Sequence, residues 1–182
     1  LNYNKKTEKG KEKHILYCGQ IPWDAQIRSA KEYYNYTYKA LLKIRKITKR
    51  PIIFRNHPLH KRNAKKRFSK DFPPITGNDL KKYGNITLST KKTLEEEFEN
   101  CYCVCAYNST SLIEALYNGI PIITEQKSCV VYDIAENNIN NIEKLRRVSP
   151  DKIIESLSRV AYRQWSLKEI EQGEPFKYYI TK

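Results

Sequence analysis

The sequence predicts an α/β fold built on a doubly wound parallel sheet with helices on both faces. Two observations predict it. Short apolar runs alternate with longer helical patterns along most of the chain, and polar loops follow the ends of several apolar runs. Alternation of this kind places the runs side by side as parallel strands and packs the connecting helices against them. The 182 residues suffice for one domain or for half of a two-lobed protein, and we expect the half.

The first part of the chain reads as strand, helix and strand. Residues 14–20 are a compact apolar run that predicts the first strand, and residues 21–27 form a loop at its carboxyl end. Ser29 can cap a helix over about 30–49, where apolar residues recur at three- and four-residue spacing. Residues 51–55 predict the second strand, so these elements form a right-handed βαβ unit.

The alternation continues after a basic, irregular stretch over residues 59–84. Ser166 and Glu169 have capping-box spacing for a last helix, which Gly173 interrupts, and Pro150 suits the first position of the helix before it. We expect residues 14–148 to form the main domain and residues 149–182 to form carboxyl-terminal helices. The other predicted elements are strands at 85–89, 101–107 and 120–124, and helices at 92–100, 111–118 and 151 to about 165.

The formal net charge of +14, from 34 lysines and arginines against 20 acidic residues, favours anionic partners. Nucleotides, phosphorylated lipids, acidic glycans and nucleic acid all remain open on this ground. Residues 1–13 are lysine-rich and nearly without apolar side chains, which is typical of a linker or mobile terminus. No run approaches the ~18 apolar residues of a membrane span, and no signal peptide opens the chain. We expect a cytoplasmic protein, either free or peripheral at the inner face of a membrane.

The five cysteines predict neither a disulfide framework nor a metal site, because their number is odd and no paired CxxC spacing occurs. Cys101, Cys103 and Cys105 alternate with Tyr102 and Val104, as small apolar residues do on one face of a buried strand. We expect reduced, structural thiols and no bound metal.

Residues 106–125 read as strand, hydroxyl-rich turn, short helix and strand, and they form a candidate phosphate site. Ser111 and Glu114 have capping-box spacing, and Gly119 with Pro121 ends the predicted helix. The first backbone N–H groups of this helix would point into the turn Asn108-Ser109-Thr110-Ser111, where partial positive charge and hydroxyl donors suit a phosphate. The alternative is that these residues only cap a buried helix.

Three loops are expected to meet at the carboxyl edge of the sheet, where open α/β sheets bind ligands. They are Gln20 with Asp24, then Asn56-His57-Pro58, then the hydroxyl-rich turn. His57 can donate a hydrogen bond to a phosphoryl oxygen, and Pro58 fixes the backbone that holds the imidazole. Glu114 can accept from ribose hydroxyls or close the capping box. These polar groups together suit a nucleotide monophosphate or diphosphate.

The motifs in these loops resemble the carboxyl-terminal lobe of GT-B glycosyltransferases. They are Gly-Gln-x3-Asp-Ala after the first strand, then Ile-Ile-Phe-Arg-Asn-His-Pro, then Asn-Ser-Thr-Ser-Leu-x-Glu-Ala-Leu-x-x-Gly-x-Pro-Ile-Ile-Thr. The likeness covers about residues 14–135 and is greatest to capsule polysaccharide biosynthesis proteins of the β-Kdo transferase type. It implies a Rossmann-like lobe that binds a nucleotide sugar and serves transfer of the sugar, without a metal, to a glycan or lipid-linked acceptor.

The resemblance also implies roles for individual residues. Gln20 and Asp24 would line the pocket, and Glu114 would lie near the ribose. The donor phosphate would be held by His57 and by Ser109, Thr110 and Ser111 with their amides, and Pro58 and Asn108 belong to the same binding loops. The acceptor site and the general base would belong to an amino-terminal lobe, on which the helices of residues 149–182 would pack. We therefore expect no catalytic residue in this chain beyond His57 as a candidate phosphate stabiliser.

Alternatives remain open for the identity of the donor and for the class of function. CMP-Kdo is the donor that the likeness suggests, but UDP-, GDP- and CDP-linked donors stay open because the chain departs from the capsule pattern at Gln26 and at residues 126–132. One rival is a DNA-modifying glycosyltransferase of viral type or a nucleic-acid-binding module that uses the basic run from Lys61 to Arg67. The other rival is a non-catalytic nucleotide-binding or scaffold protein.

Overall fold

The computed structural model describes residues 13–24, 27, 29–62, 72–162 and 164–180. At its centre, within these residues, is a parallel sheet of five strands in the order β3-β2-β1-β4-β5. The chain first extends the sheet from β1 towards β3 and then crosses to the other side of β1 to form β4 and β5. The predicted doubly wound parallel sheet is therefore confirmed. The strands are β1 (His14–Cys18), β2 (Ile52–Arg55), β3 (Ile86–Leu88), β4 (Cys101–Ala106) and β5 (Ile122–Ile123).

Helices connect the strands and continue after β5. Ser29 caps the first helix as predicted, accepting a hydrogen bond from the Glu32 amide at 3.1 Å. Two short 3₁₀ helices, Tyr132–Ile134 and Ile139–Lys144, follow β5. The α-helices are α1 (Ala30–Ile47), α2 (Leu59–Arg62), α3 (Gly77–Lys81), α4 (Glu95–Phe98), α5 (Ser111–Tyr117), α6 (Pro150–Ala161), α7 (Leu167–Glu171) and α8 (Glu174–Ile180).

Two apolar cores cover the two faces of the sheet. On one face, the apolar stripe of α1, including Leu41 and Ile44, packs on β1 and β2 together with Leu80 of α3. On the other face, Leu112 and Leu116 of α5 pack on β4 and β5. Helices on both faces explain why the strand sequences are apolar throughout rather than alternating.

The cysteines are all buried, and none of the five forms a disulfide. Cys103 and Cys105 share one face of β4 and pack in the α1 core, but Cys101 packs in the α5 core, so the prediction that all three share one face is wrong. The pairing register of β1 with β4 shifts between His14 and Ile15, which changes the alternation at the start of β4.

The helix predicted over 92–100 is reduced to the four residues of α4. It ends before Asn100, whose φ of 59° lies in the left-handed region that asparagine tolerates. Two other predictions fall partly or wholly on residues outside the described ranges. These are the lysine-rich terminus 1–13, of which Lys13 alone is described, and the basic run from Lys61 to Arg67.

The carboxyl-terminal helices begin as the sequence predicts. Pro150 opens α6, which packs on the α5 core through Ile153. Ser166 and Glu169 form the predicted capping box of α7, and Gly173, with a φ of 75°, separates α7 from α8. Among the described residues, none of the helices combines the length and apolarity that crossing a membrane requires.

Candidate functional site

A cleft of about 320 Å³ opens at the carboxyl edge of the sheet, where the chain leaves β1, β2 and β4. We call it the carboxyl-edge cleft. Because parallel strands end at the same edge, the topology brings loops that are distant in sequence together here. The lining residues are Cys18, Gly19, Arg55, Asn56, His57, Pro58, Lys92, Thr93, Leu94, Ser109, Thr110, Ser111 and Glu114.

The hydroxyl-rich turn forms one wall of this cleft. Helix α5 begins at Ser111 with Thr110 as its N-cap, so the predicted capping box of Ser111 and Glu114 is wrong. The Ser109 hydroxyl oxygen instead accepts from the Ser111 amide at 3.3 Å and from the Ser111 hydroxyl at 2.9 Å. The next three amides donate to the carbonyl oxygens of Ser109 and Thr110. The turn therefore offers hydroxyl groups to a ligand, because the amides of the first helical turn are already engaged.

His57 lies in the cleft directly after β2, and the backbone orients its ring. The Leu59 amide donates to His57 Nδ1 at 3.2 Å, so the neutral ring carries its proton on Nε2. Burial lowers the pKa of His57, and the Asp24 carboxylate partly offsets this effect. At about pH 7 the imidazole is therefore neutral and keeps one N–H for donation to a ligand.

Arg55, the last residue of β2, holds the loop between β3 and α4. Its guanidinium donates to the Ser89 hydroxyl and to the carbonyl oxygens of Lys91 and Lys92, each at 3.0 Å. The buried Glu97 carboxylate lies 3.7 Å from the guanidinium and accepts a hydrogen bond from Ser89. These contacts keep residues 91 and 92 out of the helix, which explains why α4 begins later than predicted.

Lys92 and Glu114 add a cation and a carboxylate to the cleft wall, beside the Arg55 guanidinium. The loop held by Arg55 brings Lys92 to the cleft wall. Glu114 lies in the first turn of α5, and its pKa is raised by burial and by the neighbouring Glu95 carboxylate. An anion is favoured beside Lys92, whereas the Glu114 carboxylate suits hydroxyl donors.

Asn56 lines the cleft, but its side-chain amide is already hydrogen-bonded to the backbone of Ile75. Its side chain donates to the Ile75 carbonyl at 2.7 Å and accepts from the Ile75 amide at 3.1 Å. This pair of hydrogen bonds fixes the chain before α3 against the end of β2. Asn56 therefore supports the position of the His57 loop.

A second, smaller cavity of about 150 Å³ lies between the first half of α1 and the ends of β1, β4 and β5. We call it the tyrosine pocket. Tyr36 and Tyr107 meet edge to face in its wall, with ring centroids 4.6 Å apart. Burial raises the pKa of Tyr36 to about 12, so its hydroxyl is neutral and able to donate. The lining residues are Tyr17, Cys18, Gln20, Ile27, Glu32, Tyr33, Tyr36, Thr37, Tyr107 and Gln126.

Gly19 lies between the two cavities and allows them to approach each other. A Cβ atom at this position would be 3.0 Å from the Phe54 ring and 3.2 Å from both the Arg55 carbonyl oxygen and the Tyr33 hydroxyl. Cys18, the preceding residue, lines both cavities. The two cavities therefore adjoin the same stretch of chain at the end of β1.

The predicted site residues are distributed over this region as follows. His57, Pro58, Ser109, Thr110, Ser111 and Glu114 line the cleft, whereas Gln20 lines the tyrosine pocket. Asp24 accepts a hydrogen bond from Gln20 Nε2 at 3.2 Å. Asn108 lines neither the cleft nor the tyrosine pocket, and Gln26 is outside the described residues.

Sequence reasoning missed Arg55 and Lys92. Arg55 directly precedes the Asn-His-Pro motif, and a basic residue at a strand end is a usable signal for this edge. The sequence predicts a helix over 92–100, so the position of Lys92 in the loop after β3 does not follow from the sequence pattern.

No cluster of three or more histidine, cysteine or acidic side chains suited to a metal ion occurs in the part of the chain that the structure describes. The polar groups that line the cleft are hydroxyl, imidazole, amide, guanidinium and ammonium groups and one carboxylate.

Comparisons with known proteins show that this chain is only weakly similar to them. No protein-family model matches the sequence, and no curated protein matches it. Among solved structures, the chain is similar to the UDP-GlcNAc 2-epimerase of Methanocaldococcus jannaschii, with 15% identity, 84% of this chain and 46% of that chain covered, and a TM-score of 0.49. It is also similar to TarM, with 18% identity, 80% and 28% coverage, and a TM-score of 0.41. The chain thus spans less than half the length of these proteins, and similarity at this level transfers neither residue roles nor substrates.

Proposed function

We propose that this chain is the donor-binding lobe of a glycosyltransferase and that it binds a nucleotide sugar. The observation that carries the proposal is the carboxyl-edge cleft, in which hydroxyl, imidazole and ammonium groups from separate loops converge. Phosphate is the anion that such a mixture of neutral donors and one mobile cation suits. The motif resemblance to the GT-B lobe supports the sugar-transfer part of the proposal.

In this proposal the phosphate lies between the hydroxyl-rich turn and Lys92. Ser109 accepts two internal hydrogen bonds through its oxygen, so its own proton remains for donation to the ligand. His57 donates through Nε2–H, and Glu114 accepts from the ribose hydroxyls. These donors would stabilise the nucleotide as the bond to the sugar breaks, and the scheme requires no metal.

The tyrosine pocket supplies a place for the sugar. Its walls combine aromatic rings with the amides of Gln20 and Gln126 and the carboxylate of Glu32. Sugars present apolar C–H faces to rings and hydroxyl groups to amides and carboxylates, so this lining suits an uncharged part of a ligand. The cationic side chains Arg55 and Lys92 line the cleft, and among the described residues no cation lines the pocket. This division matches the two ends of a nucleotide sugar.

The acceptor and the general base would come from a second lobe. Enzymes that transfer groups between two bound molecules hold both in one geometry and commonly close on them. We therefore expect the chain alone to bind donor and to turn over little. The glycan or lipid-linked acceptor and the amino-terminal lobe remain part of the proposal.

Two neighbouring lysines, Lys92 at the cleft and Lys91 outside it, allow the proposed function to be tested. CMP, CDP, UDP and GDP are titrated against the whole chain by calorimetry, and the tightest is then measured with Lys92→Ala and with Lys91→Ala. We expect Lys92→Ala to weaken binding by about 1 kcal/mol, roughly fivefold, because an exposed ammonium contributes modestly to phosphate binding. Lys91→Ala removes the same charge one residue away, outside the cleft lining, and should leave affinity unchanged.

A DNA duplex measured in parallel at two salt concentrations separates the nucleic-acid alternative. Absence of saturable nucleotide binding, together with DNA binding that falls steeply with salt, would replace the proposed function by the nucleic-acid reading. Equal loss in the two lysine variants would remove the cleft from the site and leave only a general charge effect.

A further inference from the structure

The amino-terminal edge of the sheet, opposite the cleft, collects a large part of the positive charge. Helix α1 runs back from the carboxyl edge to the amino edge, so Arg45 and Lys46 in its last turn reach that edge with Lys49 and Arg50. Arg45 donates to the Asn85 carbonyl at 3.2 Å, which fixes it beside the start of β3. The charge of this region therefore results from the direction of α1 and not from one basic run in the sequence.

Other segments add cations at the same edge. Lys81 and Lys82 end α3 just before β3. Arg50 pairs with Glu143 at 3.3 Å and lies over the Tyr102 ring at 3.8 Å, which brings the end of the second 3₁₀ helix to the start of β4. The basic edge, as we call it, consists of Lys13, Arg45, Lys46, Lys49, Arg50, Lys81, Lys82, Lys144, Arg146 and Arg147.

Acidic residues at this edge are fewer than basic ones among the residues that the structure describes. Glu143 is paired with Arg50, and Glu99 stands just before β4. Asp79 interacts electrostatically with Lys82, Glu136 lies beside Lys144 and Arg146, and Asp133, which pairs with Arg159, lies beside Arg146 and Arg147. The first turn of α6 carries one residue of each sign, Asp151 and Lys152. The opposite edge is mixed: the acidic residues there include Asp24, Glu32, Glu95, Glu96, Glu114 and Glu125. The net charge of the chain is thus distributed unevenly between the two edges.

We propose that the basic edge docks on an anionic phospholipid surface, with the carboxyl-edge cleft facing away from the membrane. Clustered lysine and arginine side chains on one face are attracted to negatively charged headgroups, and the attraction adds up over the cluster. Exposed lysines dominate here, and a lysine acts as a flexible point charge that suits a diffuse layer of headgroups. This inference does not depend on the proposed function of the cleft.

The aromatic residues of the edge favour a membrane over nucleic acid. Single-stranded nucleic acid needs open ring faces on which bases stack. Here Arg50 covers the Tyr102 ring, and Lys82 lies within 5.5 Å of the Tyr38 ring and 5.3 Å of the Tyr83 ring. The rings are therefore engaged by the cations themselves, which leaves charge as the property that the edge presents.

Vesicle sedimentation tests the proposal with the full chain. The vesicles contain phosphatidylcholine alone or with about 30% phosphatidylglycerol. The test variant combines Lys49→Glu, Lys144→Glu and Arg146→Glu. The control combines Lys39→Glu, Lys91→Glu and Lys168→Glu, which changes the net charge equally at exposed positions away from the edge. Circular dichroism checks that each variant is folded, and a salt titration of the parent chain provides a measurement that needs no variant.

We expect the parent to bind the anionic vesicles and not the neutral ones, and to be released by salt. The edge variant should lose roughly tenfold or more in partitioning, whereas the control should keep most of it. Equal loss in both variants, or no binding of the parent to anionic vesicles, would overturn the proposal. Binding of a single-stranded RNA oligonucleotide that is stronger than vesicle binding and equally sensitive to the edge variant would also overturn it, in favour of nucleic acid.

Discussion

At the scale of single residues, His57 shows how a fold decides the chemistry of a side chain. The Leu59 amide occupies Nδ1, and burial disfavours the charged ring. Both effects leave a neutral imidazole with its proton on Nε2. A residue that sequence reasoning selected for its position after a strand thus acquires a defined donor atom.

Replacing His57 with alanine tests this donor. We expect nucleotide affinity to fall by about 1.5–3 kcal/mol, because a hydrogen bond to a charged phosphate is lost. A bound phosphate stabilises the imidazolium, so the pKa of His57 should rise on binding from its lowered value. The affinity difference between parent and variant should therefore widen as pH falls from about 8 to about 6. Calorimetry at several pH values measures it, and a difference that is zero throughout would exclude His57 from the site.

Residues that line the cleft could be predicted from the sequence where a motif marks the end of a strand. His57, the serines and Thr110 were found because hydroxyl and imidazole groups directly follow apolar runs. Lys92 could not be predicted at the cleft, because its position depends on a contact with Arg55 across 37 residues. The guanidinium reaches the Lys92 carbonyl only after β2 and β3 have paired, and no local pattern encodes that pairing.

At the scale of elements, the turn before α5 contains several candidate caps close together. Sequence spacing selected Ser111, but the structure uses the Ser109 hydroxyl and leaves the Thr110 side chain without a capping bond. Adjacent hydroxyl residues have similar capping propensities, so the packing of Leu112 and Ala115 decides where the helix begins. Helix existence was thus predictable here, and the identity of its cap was not.

Replacing Thr110 with aspartate separates capping from ligand binding at this turn. A carboxylate at an N-cap is well tolerated, so the stability of the fold should be maintained. The same carboxylate would repel a phosphate in the cleft and should weaken nucleotide binding about tenfold, or about 1.4 kcal/mol. Calorimetry and urea denaturation measure the two effects.

Asn78→Asp is the matched control for Thr110→Asp. It adds one negative charge in the first turn of α3, at a residue that lines neither cavity. This variant should bind nucleotide like the parent chain. Undiminished binding by Thr110→Asp would mean that the turn serves only the helix.

At the scale of the whole molecule, the loops after β1 and β2 meet over a buried histidine. His60 is 2% exposed, and neither ring nitrogen has a hydrogen-bond partner within the described part of the chain. Its ring packs edge to face with Trp23 at 5.5 Å and with Tyr33 at 6.4 Å. Burial and the neighbouring His57 lower the pKa of His60 to about 4. The fold therefore requires this histidine to be neutral.

The free energy of unfolding should decrease in mild acid because of His60. An unfolded histidine takes up its proton at about pH 6.5, whereas the folded one resists protonation down to about pH 4. Stability is therefore complete above the unfolded value and falls as pH drops through this window. His14 and His57 also have lowered pKa values and act in the same direction.

Urea denaturation at about pH 7.5 and about pH 5 measures this effect, with His60→Phe as the comparison. Phenylalanine keeps a ring between Trp23 and Tyr33 but binds no proton. The variant should therefore lose less stability on acidification than the parent. An identical pH dependence in the two proteins would show that His60 is accessible to protons in the folded state.

The contacts of the Arg55 guanidinium also affect the entropy cost of ligand binding at the cleft. The loop that carries Lys92 is held within the fold by three hydrogen bonds from Arg55 and by the buried Glu97 carboxylate. Ordering a free loop on binding would subtract conformational entropy from the affinity. Here that entropy is already lost when the sheet forms. The loop is therefore preformed, and binding would order only the Lys92 side chain. For the nucleotide binding proposed above, we therefore expect selectivity among ligands to depend on the shape of the cleft, which is set during folding.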